Sequence, residues 1–338
     1  MASRIKKVVL GEGAVEVLSD LNSVDFIHVD HSAYAGFDNI LQLSRKVPLA
    51  KSYVVKLANS GFSLFKSSEN TSSFVRNRVI PDFWHKVKGG DFNAYHGLVY
   101  QLELPKSHKP TKVLVVFSSI GEDVFTSSLM RLFTFNFKSI GKCLPADTAV
   151  LRIADLGGVV GSFYLNNNAD LKFAERVTAL ITKVGGDLGL GAENITLYGA
   201  SKGGTGALYH GVVGGFNAVV VDPIVSDEYY EKAFNDSHFT IGTFPESKQQ
   251  VFSRVLESDV KLKQKISIIY SLRSPQYEYI RRIVKESRAG RHFSFLNSNN
   301  SLINDHPDVG AQTVNIAVML INMSLYQIPA ECYSIDVV

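Results

Sequence analysis

From about residue 110 onward, short β-branched runs alternate with longer stretches of helical period, the pattern of βαβ units around a mostly parallel sheet. Six runs predict strands, at 112–119, 149–155, 194–199, 217–222, 266–271 and 292–297. Their near-continuous apolar character implies burial on both faces. Between the second and third, Leu171, Phe173, Ala174, Val177, Leu180, Ile181 and Val184 fall on one face of a helix over 170–184, which Gly185 and Gly186 are expected to end. The apolar run 314–328 is broken by Asn315, Asn322, Ser324 and Gln327. It predicts a packed C-terminal helix, too short for the roughly 20 residues of a membrane span. The expected fold is α/β, with a doubly wound, mostly parallel sheet.

Residues 1–105 have a different texture. The runs 5–10 and 26–29 look like strands flanking a short helix, and the remainder of the region is aromatic and Ser/Asn-rich without a clear period. Tyr34, Phe37, Phe62, Phe65, Phe74, Phe83 and Trp84 are better suited to filling a core or lid than to stacking on sugars. Segment 96–104 alternates like an antiparallel edge strand of the main sheet and stops at Pro105, and 105–110 reads as a turn or linker. The expected division is 1–105, an N-terminal region of uncertain α/β fold contributing edge strands, and 106–338, the main domain. An insertion at about 223–265, carrying Tyr229, Tyr230, Phe234 and Phe239, is expected to cover the C-terminal edge of the sheet, where loops build ligand sites.

Hydrophobic residues at 45% and charged residues at 20% of 338 positions exclude a disordered or fibrous chain. Thirty-five basic against 32 acidic residues leave +3, too little to argue for nucleic acid as a partner. Cys143 and Cys332 allow at most one bridge, which suits a reducing compartment. Arg4, Lys6 and Lys7 precede only a three-residue apolar run, so no export signal is read and a cytoplasmic location is expected.

The chemistry concentrates at 194–209, NITLYGASKGGTGALY, a strand followed by Gly199-Ala200-Ser201-Lys202-Gly203 and a small-residue helix. This is GxSxG in the context that its mechanics require: a sharp strand-to-helix turn strains Ser201 and presents its hydroxyl, and the glycines permit the close approach. A phosphate-binding Walker loop would need its Lys after the glycines, whereas Lys202 precedes them. The N–H of Lys202 opens the helix and can face an oxyanion; the second N–H is expected from the loop after 112–119, with Ser118, Ser119 and Ile120 as candidates. A neutral serine needs a base, and His306, in a polar loop after the last strand, has the right chain order. His210 sits on the helix leaving the elbow, and His292 begins the last strand at the wrong end. His28, Asp30 and His31 invite a metal reading that strand alternation disfavours. The acid stays open between Asp222, which ends the fourth strand before Pro223, Glu278, and a Ser–His pair supported by a carbonyl or water. Lys202 and Arg273 are candidate contacts for an anionic glycan, or simply solvated cations.

With GASKGGTGALYHG at 199–211, VVVDPIV at 219–225, FYLNNN at 163–168 and VVFSSIG at 115–121, the chain resembles the α/β hydrolase superfamily. More narrowly it resembles the XcbB/CpsF capsular polysaccharide biosynthesis proteins and, in its SKGGxGAL core, capsule O-acetyltransferases of the same fold. The resemblance implies a bacterial serine acyltransferase or esterase working through an acyl-enzyme on a capsular or cell-surface glycan or its precursor, peripheral to a capsule-synthesis complex. It implies no tightly bound cofactor and a small-molecule acyl donor or ester, such as acetyl-CoA for a transferase, with a glycan as acceptor. Those acetyltransferases carry an acid after the penultimate strand, where this chain has Ser274. That departure keeps a second class open, a non-catalytic scaffold of the same fold.

Overall fold

A computed structural model describes residues 4–11, 18, 20–34, 36–258, 264–328 and 332–337. Four strands form an N-terminal sheet: β1 (Ile5–Val9), β2 (Phe26–Asp30), β3 (Phe62–Ser68) and β4 (Thr71–Arg76), in the order β1-β2-β4-β3. β1 and β2 are the two expected strands; the helix expected between them falls mostly outside the described residues. β3 and β4 are joined by Glu69 and Asn70, both at positive φ, as a two-residue hairpin turn demands. One face of this sheet buries Ile27, Val29, Leu64 and Phe74 against helix α1 (Pro48–Asn59), whose Tyr53, Val54 and Leu57 point inward. Of the aromatics singled out in the sequence, Phe62 and Phe74 enter this core, while Trp84 sits in a neighbouring one with Phe92 and Phe133.

The remaining strands form one nine-stranded sheet: β5 (Asn93–Tyr95), β6 (Leu98–Glu103), β7 (Lys112–Phe117), β8 (Thr148–Ile153), β9 (Ile195–Ala200), β10 (Asn217–Val221), β11 (Ile266–Tyr270), β12 (Ser294–Ser298) and β13 (Ser334–Val337). Their order is β13-β12-β11-β10-β9-β7-β8-β6-β5. All pairs from β8 to β13 are parallel, and β6 runs antiparallel to β8. β6 is not the edge: His96 and Gly97, both at positive φ, turn the chain so that β5 lies outside it.

Alternation within the parallel strands explains their apolar runs. Val113, Val115 and Phe117 face helices α2 (Phe173–Asp187) and α3 (Lys202–Gly214), while Leu114 and Val116 face helix α7 (Val314–Leu325), so both faces are covered. Gly185 and Gly186 do not end α2. The helix runs through them to Asp187; Gly185 serves packing instead, since a Cβ there would stand 2.8 Å from Ile195 Cδ1, and the reversal falls to Gly189 at φ +74. No helix among the described residues is long and apolar enough to cross a membrane. Cys143 and Cys332 are free and exposed.

The insertion contributes helices α4 (Glu228–Ala233) and α5 (Lys248–Glu257). It touches the N-terminal sheet's helical layer: Lys51 Nζ donates to Asn235 O at 2.9 Å, Asn59 Nδ2 to Gly242 O, and Phe239 joins that sheet's core with Val124, Val159 and Val160. The N-terminal unit thereby rests on the loops that leave the C-terminal ends of β7 and β8, beside the site.

Candidate active site

Ser201 stands between β9 and α3 with φ 55° and ψ −121°, a conformation that L-residues rarely adopt. The strain is held by its surroundings. Ser201 N–H donates to Val221 O at 2.9 Å, and a Cβ on Gly199 or Gly203 would come within 2.0 Å of Gly203 O or 2.5 Å of Phe117 O. Any larger residue at either position would push the elbow off the sheet.

His306 begins helix α6 (His306–Gln312), where Asp305 and Asp308 form a reciprocal cap and Pro307 fits the first turn. Its Nε2 lies 2.8 Å from Ser201 Oγ and its Nδ1 2.7 Å from Asp222 Oδ2. The carboxylate can only accept, so Nδ1 carries the proton and Nε2 is left to accept from the serine hydroxyl. Asp222 directly follows β10, at φ 42°, with its N–H donated to Ile269 O across to β11. Ser274, which stands after β11 where an acid was sought, donates its hydroxyl to Asp222 Oδ2 at 2.5 Å. The strand end thus supplies the carboxylate and the following loop supplies a hydroxyl that orients it. Glu278 is elsewhere: it is exposed and pairs with Arg281 at 2.7 Å, away from His306.

The other sequence candidates divide as sharply. Ser118 N–H donates to Tyr164 Oη at 2.7 Å and Ser119 N–H to Asn136 Oδ1 at 2.8 Å, while Asn136 Nδ2 returns a bond to Ser119 Oγ. Two of the three amides expected as the second oxyanion donor are therefore occupied. Of the three candidates, Ile120, which lines the pocket, is the one whose N–H is not spent on these bonds. The first-turn N–H groups of α3, beginning with Lys202, have no intrahelical acceptor.

Lys202 is not a surface cation. Its side chain is fully buried, and Nζ lies 3.0 Å from Asp155 Oδ2 as an ion pair without a well-directed hydrogen bond. Asp155 also accepts from the N–H groups of Ser162, Phe163 and Tyr164 and from Ser162 Oγ. This network underlies the elbow, and the 163–168 segment is its other half. Arg273 stays at the surface, donating to Ser301 O and Ile303 O.

His210 is buried, donating from Nε2 to Tyr164 O at 3.0 Å, with Nδ1 2.8 Å from Thr178 Oγ1. Burial pushes its pKa down to about 4, so it is a neutral structural imidazole. His28 and His31 meet Ser73 and Ser72, and no cluster of metal-ligating side chains exists among the described residues.

Ser201, His306 and Asp222 open into a cavity of about 500 Å³, whose walls include Ile120, Tyr198, Tyr230 and His238. The last two come from the insertion. Sequence reading placed that insertion over this edge but did not single out His238, because a lone histidine in a polar segment carries no local signal. Burial, and after it the nearby Lys248 and Lys202 ammonium groups, hold His238 well below the usual histidine range. The arrangement can draw the proton from the Ser201 hydroxyl beside the start of α3, the chemistry that acyl transfer begins with.

No protein-family model and no curated protein matches the chain. Among solved structures it is similar to the capsule O-acetyltransferase of Neisseria meningitidis serogroup A, at 16% identity and a TM-score of 0.50, over 70% of this chain and 94% of that one. It is also similar to a chain of the glycosylation-associated protein complex of Streptococcus agalactiae, at 13% identity and a TM-score of 0.50, over 79% of this chain and 52% of that one. A fluorophosphonate-binding serine hydrolase of Staphylococcus aureus aligns at 17% identity and a TM-score of 0.45, over 66% of this chain and 92% of that one. At such identities the likeness concerns the fold, which is of the α/β hydrolase type.

Proposed function

We propose that the protein is a serine-dependent acyl-transfer enzyme, an O-acyltransferase or esterase acting on a capsular or cell-surface glycan or its precursor. The observation that carries this reading is the continuous relay from Ser201 Oγ through His306 to Asp222, at 2.8 and 2.7 Å. In the first half-reaction His306 Nε2 takes the Ser201 proton as Oγ attacks the acyl carbon. The N–H groups of Lys202 and Ile120 receive the oxyanion, and His306 returns the proton to the departing alcohol or thiol. In the second half, a water or sugar hydroxyl gives its proton to His306 and attacks the acyl-serine; Ser201 Oγ leaves and recovers that proton. Asp222 stays ionised and holds the imidazole in the required tautomer.

The glycan context rests on the resemblance to capsule proteins and on the likeness to a capsule O-acetyltransferase, whose acceptor class is carried over as part of the proposal. The donor we propose is a small acyl ester or thioester such as acetyl-CoA, with no tightly bound cofactor. The scaffold alternative drew its support from the lack of an acid after β11, and it loses that support once Asp222 is bonded to His306. The test is product analysis with p-nitrophenyl acetate or acetyl-CoA as donor and capsular oligosaccharides as acceptors, on the wild type and Ser201→Ala. Ser201-dependent acetyl esters or acetate are expected. Release of neither product with any donor would overturn the reading.

A further inference from the structure

Two polar side chains of the pocket that the relay does not use lie against each other. Tyr230, on α4, and His238, in the loop after it, lie ring against ring with centroids 3.7 Å apart and planes tilted by 32°, and Phe163 backs the imidazole at 5.5 Å. The Tyr230 ring stands edge-on to His306, 6.4 Å between centroids, so the pair forms the wall facing the base. Neither the Tyr230 hydroxyl nor either His238 nitrogen has a hydrogen-bond partner among the described residues. Of the cavity's other polar side chains, Asn136 is committed to Ser119 and Asp222 to His306 and Ser274, while Tyr198, on β9, is stacked against Phe137.

From this juxtaposition we infer that Tyr230 and His238 bind the hydroxyl group that exchanges with the acyl-serine. The inference rests on the acyl-serine reading above and deepens it by naming the residues that select an alcohol over water. A neutral imidazole offers one N–H donor and one bare nitrogen, and a phenol offers a donor and an acceptor. That set matches a hydroxyl, or two neighbouring hydroxyls, each able to give and to take a hydrogen bond. Burial and the cations around His238 hold the imidazole in this neutral form. The two contacting rings add an apolar surface against which the carbon skeleton of a polyol can lie. Neither group moves a proton: the acceptor hydroxyl passes its proton to His306, and Tyr230 and His238 set its distance and angle to the acyl carbon.

The test reads the fate of one acyl-enzyme. The full-length protein is given p-nitrophenyl acetate with increasing glycerol or methyl α-glucoside, and the ratio of acetylated acceptor to free acetate is measured by mass spectrometry. Because both products leave the same intermediate, the ratio cancels any change in acylation. In the wild type it should rise with acceptor concentration. His238→Phe, which keeps a ring against Tyr230, and Tyr230→Phe, which removes one oxygen, should each lower that slope about 10-fold, and His238→Asn should regain part of it. Unchanged slopes in both phenylalanine variants would overturn the inference, as would a wild type that releases acetate but acylates neither acceptor. Acetate release persisting in Ser201→Ala would instead refute the acyl-serine reading, and the role of the pair with it.

Discussion

Two aspartates follow strands of the same sheet that β7 and β9 separate, both buried, with opposite surroundings. Asp155, just after β8, is saturated: four hydrogen bonds from the 162–164 segment and the Lys202 ammonium leave it nothing to exchange. Asp222, just after β10, spends Oδ2 on His306 and Ser274 while Oδ1 is buried without a partner. A fully compensated charge fixes a shape, whereas a partly compensated one retains a pull on whatever proton its neighbour carries. The contrast assigns Asp155 to the scaffold beneath the elbow and Asp222 to the relay.

Substitutions should separate the two. Ser201→Ala or His306→Ala is expected to lower turnover by about 10⁴-fold or more, roughly 5.5 kcal/mol of barrier, with little change in the urea midpoint. Asp222→Asn should lower it by about 10³- to 10⁴-fold, since an amide can leave the imidazole in the wrong tautomer. Steady-state kinetics beside urea melts would break the comparison if Asp222→Asn lost stability instead of rate. Asp155→Ala should do the reverse. It strands the Lys202 ammonium, and destabilisation of about 3 to 5 kcal/mol is expected in denaturant unfolding. Lys202→Met should lose less, because Asp155 keeps its four hydrogen bonds.

Acid sharpens the contrast on the scaffold side. His210 binds Tyr164 O, part of the loop that caps Asp155, and its folded pKa of about 4 lies below the unfolded value of 6.5. The unfolded chain therefore binds the extra proton first. The stability from neutral His210 is whole above pH 6.5 and is lost as pH falls towards 4, by at most about 3 kcal/mol. Urea midpoints measured from pH 7 to 4 should drop with this slope, and His210→Gln should flatten it. Smallest of all, Ser274→Ala should lower kcat about 3- to 10-fold, the net worth of one ordinary hydrogen bond of about 1 kcal/mol, with KM nearly unchanged.

The elbow was legible because its signal is local: a strand, GxSxG and a helix start stand in one run of residues, and steric limits at Gly199 and Gly203 leave few alternatives. His306 followed from chain order. Asp222 was recognisable only as one of several acids, since the choice depends on Ser274 and His306 meeting it from 52 and 84 residues away. The oxyanion loop misled for the same reason. Nothing near Ser118 or Ser119 announces that Tyr164 and Asn136 will take their amides. Lys202 read as a surface charge because its partner lies on another strand end. In the N-terminal sheet, β3 and β4 escaped notice because buried serines such as Ser63, Ser72 and Ser73 interrupt the apolar alternation.

The central claim is that Ser201 is a nucleophile activated by His306. A fluorophosphonate label, followed by peptide mapping, addresses it most directly. One label per chain on Ser201 is predicted, formed far more slowly in His306→Ala. An unreacted Ser201 at high reagent concentration, or a label mapping to another residue, would contradict it.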